Sequence, residues 1–414
     1  MLRVIALASV VAVAGCHRQA DAPGDAPSNL EVTPGEGLVT VKWDQQPGLT
    51  YWIFFQAGGT VTAAAPGVPL IFDARSPRVV GGLVNGTQYA FVMNATDRDS
   101  PGGPSTPVFL AVPRLAGASW TSGAPLGSAP QNLNGVAYGA ALNRIVAVGD
   151  SGSFFAGDFS YTSTSPPGVT AWTPATSIPN GFVSNLSAVI SSGGQFVALG
   201  TDGSMLTSPD GNAWTSAAPI PNNSARMNSL AFGLVSDAIK YVAVGDGGNI
   251  FTSPDLVTWT PAASGTTRDL YSVSVPKDIF VATGANGTLL TSADAITWTA
   301  QSSSTPMALR GATYGRGSAG AAYYVVVGDS GTILTSTDLT TWNLTPPPLS
   351  QDLRAIRFGS RFVAVGQGGV AVYSDDAINW SLSSVQGSAD LAAIIATPAS
   401  YFAVGASGAN AISE

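Results

Sequence analysis

Cysteine and histidine occur once each, as Cys16 and His17, so neither a disulfide framework nor a Cys/His metal site can be built from this chain. Charge is scarce too. Only 10% of the 414 residues are Asp, Glu, Lys or Arg, with a formal net charge of −8. No Lys/Arg run occurs, and neutralising phosphates needs clustered cations, which excludes a nucleic-acid partner. Beyond Ala14 no apolar run is long enough to cross a bilayer. Disorder is excluded because 45% of the residues are hydrophobic, ample for a core. Nothing in the sequence implies a cofactor. What is abundant is glycine, 48 residues, alongside Ser, Thr, Val and Ala, the composition of many short strands joined by tight turns.

The N-terminal "MLRVIALASVVAVAGCHRQ" sets Arg3 before an apolar stretch, Val4 to Ala14, that ends in small residues. That is a secretory signal pattern, too short for a permanent span. Val13-Ala14-Gly15-Cys16 resembles the bacterial lipobox. The resemblance implies cleavage before Cys16 and lipid on its thiol and amine; the bland alternative is an ordinary signal peptide with an incidental cysteine. Several acyl chains anchor durably, since each buried CH₂ contributes about 0.8 kcal/mol. His17 stands where an Asp would signal inner-membrane retention, so the resemblance implies a lipid-anchored envelope protein of the outer membrane. Residues 1–15 therefore read as signal peptide. Residues 16–27, rich in Pro, Ala and Gly, read as a flexible tether.

Residues 28–114 alternate apolar and polar positions in short runs, such as Leu38-Val39-Thr40-Val41-Lys42-Trp43 and Gln88-Tyr89-Ala90-Phe91-Val92-Met93. Turn residues separate the runs, the pattern of a β-sandwich. "GLVNGTQYAFVMNATD" resembles the fibronectin type III module through Leu83, Gly86, Thr87 and Tyr89. The resemblance implies a tyrosine-corner role for Tyr89 and a buried Trp43 on the second strand. Such a module is a spacer first and a ligand-binding element second.

Residues 115–414 carry a repeat. Its recurring Val-Ala-Val-Gly run ends on Gly149, Gly200, Gly245, Gly284, Gly328, Gly366 and Gly405, at a mean spacing of about 43 residues. That is the length of one four-stranded propeller blade. A second Gly follows three residues on in every copy, and a tight hairpin with positive φ is expected there. Trp214, Trp259, Trp298, Trp342 and Trp380 each follow the first Gly by fourteen residues, while Trp172 is displaced by an insertion. The last copy has no Trp, but Trp120 precedes the first copy without a repeat of its own. The expected architecture is all-β: a fibronectin type III-like sandwich, then a seven-bladed propeller closed by an N-terminal strand around Trp120.

Between the third and fourth strands of five copies runs Ser-x-Asp-x-x-x-Trp, as in Ser253/Asp255/Trp259. It resembles the Asp-box, or BNR repeat, of bacterial propellers, one residue shorter than the commonest form. The resemblance implies that Asp and Ser tie down the turn's backbone amides while Trp packs beneath, so these Asp residues are structural. Such propellers include sialidases, other glycan-acting enzymes, photosystem-assembly-type factors and receptor ectodomains, and the likeness speaks to fold far more than to activity. The Phe/Tyr-Arg-Ile-Pro motif of sialidases is absent. The photosystem-assembly type has seven blades, but nothing here points to a photosynthetic partner.

No catalytic constellation emerges. Asp269 and Asp352, each just before an innermost strand, are the carboxylates that fall off the repeat, and acid–base chemistry would need such irregular acids. Arg226, Arg268, Arg310 and Arg354 all lie within two residues of the Leu or Met opening an innermost strand. They are expected at the channel mouth, on the face of Asp150, Asp202, Asp246 and Asp329. One reading is inter-blade Arg–Asp pairing; the other is a guanidinium-lined site for a carboxylate, sulfate or acidic peptide. The functional expectation is an envelope binding scaffold for a protein or glycan partner, with a glycan-acting enzyme at the channel mouth as the alternative.

Overall fold

The computed structural model describes residues 25–413, apart from 98–100, 129, 163–164, 170, 222, 318–319, 347 and 386. The Cys16 lipidation site lies outside the described residues. Among those residues no helix is long and apolar enough to cross a membrane. The chain divides into two compact units. One holds residues through Thr33, Val41–Arg78 and Thr87–Val112; the other holds Pro34–Thr40, Val79–Gly86 and everything from Pro113 onward.

The N-terminal strands form two sheets. One joins Glu31–Gly35, Leu38–Lys42 and Arg78–Gly81; the other joins Leu70–Ile71, Thr50–Ala57, Tyr89–Thr96 and Phe109–Ala111. Trp43 is buried, and its ring centroid lies 5.4 Å from that of Tyr51. Trp52, Phe54, Ala90 and Val92 cluster on the central pair of the second sheet.

From Ser119 onward the described residues form seven successive sheets of four or five strands, antiparallel except where Ser384–Val385 pairs parallel with Ser119–Ser122. The third is representative: Met227–Val235, Ala238–Gly245, Ile250–Ser253 and Thr260–Ala262, in chain order. Its second strand ends Tyr241-Val242-Ala243-Val244-Gly245, all buried. A continuous apolar run is what a strand needs when both faces of its sheet are covered. The hydrophobic cores lie between successive sheets, and each contains one tryptophan. Trp214 joins the cluster between the first two sheets, Trp342 that between the fourth and fifth, Trp172 that between the seventh and the first. Neighbouring first strands touch in order, and Leu391–Ala396 of the last sheet touches Leu133–Gly139 of the first. No sheet closes on itself; it is the succession that returns to its start.

In the turn between second and third strands, positive φ is found at the second glycine of each copy but not at the first. The first Gly is extended: at Gly366, φ is −170°. It is required because a Cβ there would collide with the backbone carbonyl of Asp352. Positive φ belongs to the second, Gly369, at +75°, and to the residue before it, Gly368, at +68°.

The Ser-x-Asp-x-x-x-Trp turns share one set of bonds. Asp210 Oδ1 accepts the N–H groups of Asn212 and Ala213 at 2.8 and 2.9 Å, and Ser208 Oγ accepts that of Gly211 at 2.8 Å. The carboxylates of Asp255, Asp294, Asp338 and Asp376 each accept the same pair. These bonds hold the residue three before the Trp at positive φ, even where it is Leu256 at 65°, Ala295 at 64°, Leu339 at 68° or Ala377 at 69°. The indole N–H of Trp342 donates to the Leu339 carbonyl at 3.0 Å, closing the turn.

The last sheet builds this turn from two distant pieces. Ser119–Ser122 pairs antiparallel with Asn410–Ser413, setting Ser413 opposite Trp120. The Gly117 N–H donates to Ser413 Oγ at 2.6 Å, and the Trp120 indole donates to the Gly117 carbonyl at 3.1 Å. Gly117 has φ of +104°. Ser413 and Trp120 thus occupy the Ser and Trp places of a box whose Asp place is taken by Ala116.

Two outcomes follow from this framework. Trp120→Ala removes a side chain only 2% exposed and should cost about 3–5 kcal/mol in urea unfolding. Backbone N–H bonds from Thr297 and then Ile296 hold the Asp294 carboxyl down to about 2, and those from Thr341 and Thr340 hold Asp338 lower still. Because the folded values lie below the unfolded value of about 3.9, this stability is complete above that value and is lost as pH falls through the folded ones. The urea midpoint should be flat above about pH 5 and fall between about pH 4 and 2, less steeply in Asp294→Asn.

Candidate functional site

Each innermost strand opens on a buried Leu or Met, and the register with its neighbour shifts just beyond it. That shift turns the second residue toward the turn of its own sheet. Asn134 Nδ2 donates to Asp150 Oδ1 at 2.8 Å and to the Leu186 carbonyl of the next sheet at 3.0 Å. Asn228 repeats the arrangement with Asp246 and the Leu270 carbonyl. Arg310 occupies the same place in the fifth sheet and makes a two-pronged ion pair with Asp329, its Nη2 at 3.0 Å from Oδ2. Its guanidinium also sits 4.9 Å from the ring centre of Tyr271 in the preceding sheet. In the sixth sheet Gln367 stands in place of the turn Asp, and Arg354 reaches instead to Asp390 before the seventh, at 2.8 Å.

Between the first strands lies a cavity of about 180 Å³ lined from all seven sheets. Arg310 and Arg354 line it; Arg226 and Arg268 do not. Those two are exposed, with Arg226 Nε donating to Asn228 Oδ1 at 3.1 Å and Arg268 Nη1 to the Asn286 carbonyl at 3.0 Å. The four arginines are thus not brought together around one cavity. Of the Arg–Asp pairs, Arg354–Asp390 joins two sheets, whereas Arg310–Asp329 stays within one.

A third arginine, Arg357, lines the same cavity and was not anticipated from the sequence. It is the fifth residue of its innermost strand, a place held elsewhere by residues such as Ala137, Ile190 and Ser274. That break in the repeat, in "LRAIRFG", was the available signal. Its Nε donates to the Ile394 carbonyl at 3.3 Å. Its side chain is exposed, and the protein walls around it lower its affinity for the proton.

Asp269 and Asp352 are not irregular. The residue before the innermost strand is Asn132, Asn185, Asp269, Asp352 or Asp390 in five sheets, and in each it accepts an N–H from the preceding sheet's turn. Ser330 donates to Asp352 at 2.9 Å, for example. These carboxylates staple sheet to sheet.

A larger cleft of about 980 Å³ lies at the seam between the seventh and first sheets. Its lining is mostly apolar and includes Phe155, Trp172, Phe402 and Ile412, with the Trp172 and Phe402 ring centroids 5.3 Å apart.

No known family matches this chain, and no curated protein does. Among solved structures it resembles YCF48 from Cyanidioschyzon merolae, at 18% identity and TM-score 0.51 over 71% of this chain and 98% of that one. YCF48 bound to D1 peptide gives 16% identity and TM-score 0.55 over 71% and 96%. A catalytically inactive virginiamycin B lyase from Staphylococcus aureus, with quinupristin, gives 12% identity and TM-score 0.59 over 71% and 98%. The fold is that of a β-propeller. At these identities the likeness carries the fold alone, and the propeller's own side chains must supply the function.

The staple reading gives a direct test. Asp352→Ala should destabilise the propeller by about 1 kcal/mol in urea unfolding, the net worth of one such hydrogen bond.

Proposed function

We propose that this protein is a lipid-anchored envelope scaffold whose propeller holds a protein partner. Cys16 carries the lipid, residues 16–27 form the tether, residues 28–114 a fibronectin type III-like spacer, and residues 115–414 a seven-bladed Asp-box propeller displayed from the outer membrane. The blade count is supported by the seven sheets and their seven tryptophans, and closure by the Trp120–Ser413 turn. The observation that carries the binding reading is that a solved propeller of this fold holds a peptide. Here the channel face offers arginines for an acidic segment of the partner, Arg310 and Arg354 at the mouth, with Arg226 and Arg268 farther out.

The second reading, a glycan-acting enzyme, draws on the propeller lyase among the similar structures. The axial cavity favours binding over turnover of a sugar chain, since about 180 Å³ is below the roughly 300–1,000 Å³ of ordinary ligand pockets.

Crosslinking in intact cells followed by mass spectrometry should recover one protein reproducibly. Replacing Arg226, Arg268, Arg310 and Arg354 together by Ala should abolish that capture. Product release from chromogenic glycosides or polysaccharides by the purified protein would instead establish the enzyme. Cys16→Ser should shift the protein from the membrane to the soluble fraction, and unchanged membrane association would refute the anchor.

A further inference from the structure

Arg310 and Arg354 have carboxylate partners, whereas Arg357 has none among the described residues. No Asp or Glu is among the described residues lining its cavity. A guanidinium carries five N–H donors, and the protein takes one of them, through the Ile394 carbonyl. The Arg357 side chain is exposed to the channel, and the remaining donors form a planar fork that fits two oxygens of one anion. The lining is otherwise rich in small or hydroxylated residues, including Ser229, Ser272, Ser274 and Gly311, which leave the axis open; Ser229 Oγ is bonded to Val273, whereas Ser274 Oγ has no hydrogen-bond partner among the described residues. The volume of about 180 Å³ equals roughly six waters, enough for one small oxyanion and its hydration but not for a folded segment.

We propose that the axial cavity is a binding site for a single oxyanion, held by the free guanidinium fork of Arg357 beneath the paired arginines of the mouth. The chemistry is that of sulfate, phosphate or a carboxylate, either free in solution or projecting from a larger molecule. The site does not depend on the partner proposed above, because it uses a residue below the mouth that Asp329 and Asp390 do not reach.

The test is titration of the full chain at low ionic strength with sulfate, phosphate and acetate, read by calorimetry and thermal melting against chloride at matched ionic strength. The wild type should show saturable, one-to-one binding and a rise in melting temperature beyond that in chloride. Arg357→Met should bind at least about tenfold more weakly, the worth of a charge-assisted hydrogen bond, and lose the excess rise. Arg226→Ala with Arg268→Ala, outside the cavity, should weaken partner capture while the oxyanion response persists, which separates this site from the partner-binding face. A response to sulfate or phosphate alone identifies a free inorganic ion. A response to acetate that extends to a peptide ending in Asp identifies a carboxylate. Absence of saturable binding in the wild type, or an equal response in Arg357→Met, overturns the proposal, and the wild-type arm holds even if that variant does not fold.

Discussion

A sheet that is apolar on both faces cannot stand at the end of a stack, because one face would remain in water. Every sheet after Ser119 has this character: Val197, Leu199 and Met205 turn toward the next sheet, while Phe196, Ala198 and Leu206 turn toward the previous one. Covering all these faces without a terminal sheet requires that the succession return on itself. The seam between the seventh and first sheets is therefore packed like the others, with Phe402 and Val404 against Ile145 and Ala147. The remaining features of the propeller follow from keeping this arrangement in register.

Two devices keep it so, and both use backbone amides that the turns would otherwise leave unbonded. Within a sheet, the Asp carboxylate and Ser hydroxyl hold the turn that sets the Trp against its inter-sheet core. Between sheets, an Asp or Asn before the innermost strand accepts an N–H from the preceding turn. Each hydrogen bond is worth little alone, but the staples repeat at five of the seven junctions and so resist the same opening motion. In the last sheet the first device is split between strands far apart in the chain, Ser413 on Asn410–Ser413 and Trp120 on Ser119–Ser122, so the turn forms only when both segments are in place. Its missing Asp, replaced by Ala116, leaves the hydroxyl and the indole to define it.

Much of this was legible in the sequence because repetition averages over accidents. Strand order within a repeat, the structural role of Asp255 and its equivalents, and the partnership of Trp120 with the last repeat all follow from aligned Gly and Trp positions. The staples were misread for the same reason in reverse: Asp269 and Asp352 look irregular until Asn132 and Asn185 are admitted as their equivalents, since an amide oxygen accepts an N–H as a carboxylate does. Ser413 escaped notice because a box cut into two pieces has no continuous motif. The arginines were harder still. Position along a strand does not say which way a long side chain reaches, and Arg226 and Arg268 reach outward while Arg310 and Arg354 border the cavity.

The propeller also separates the residues that fold it from those free to act. The boxes lie on the third and fourth strands, the staples just before the innermost ones, and the cores draw on all of them. The innermost strands need only a buried opening Leu or Met and apolar side chains toward the neighbouring sheets; what they present to the axis is not constrained by packing. Asn134 and Asn228 spend that freedom on bonds to their own turns, and Arg310 does likewise. Arg357 does not. It gives one N–H to the Ile394 carbonyl of the next sheet and leaves its other donors on the axis, so the departure from the repeat, rather than the repeat itself, is the place to look for this protein's chemistry.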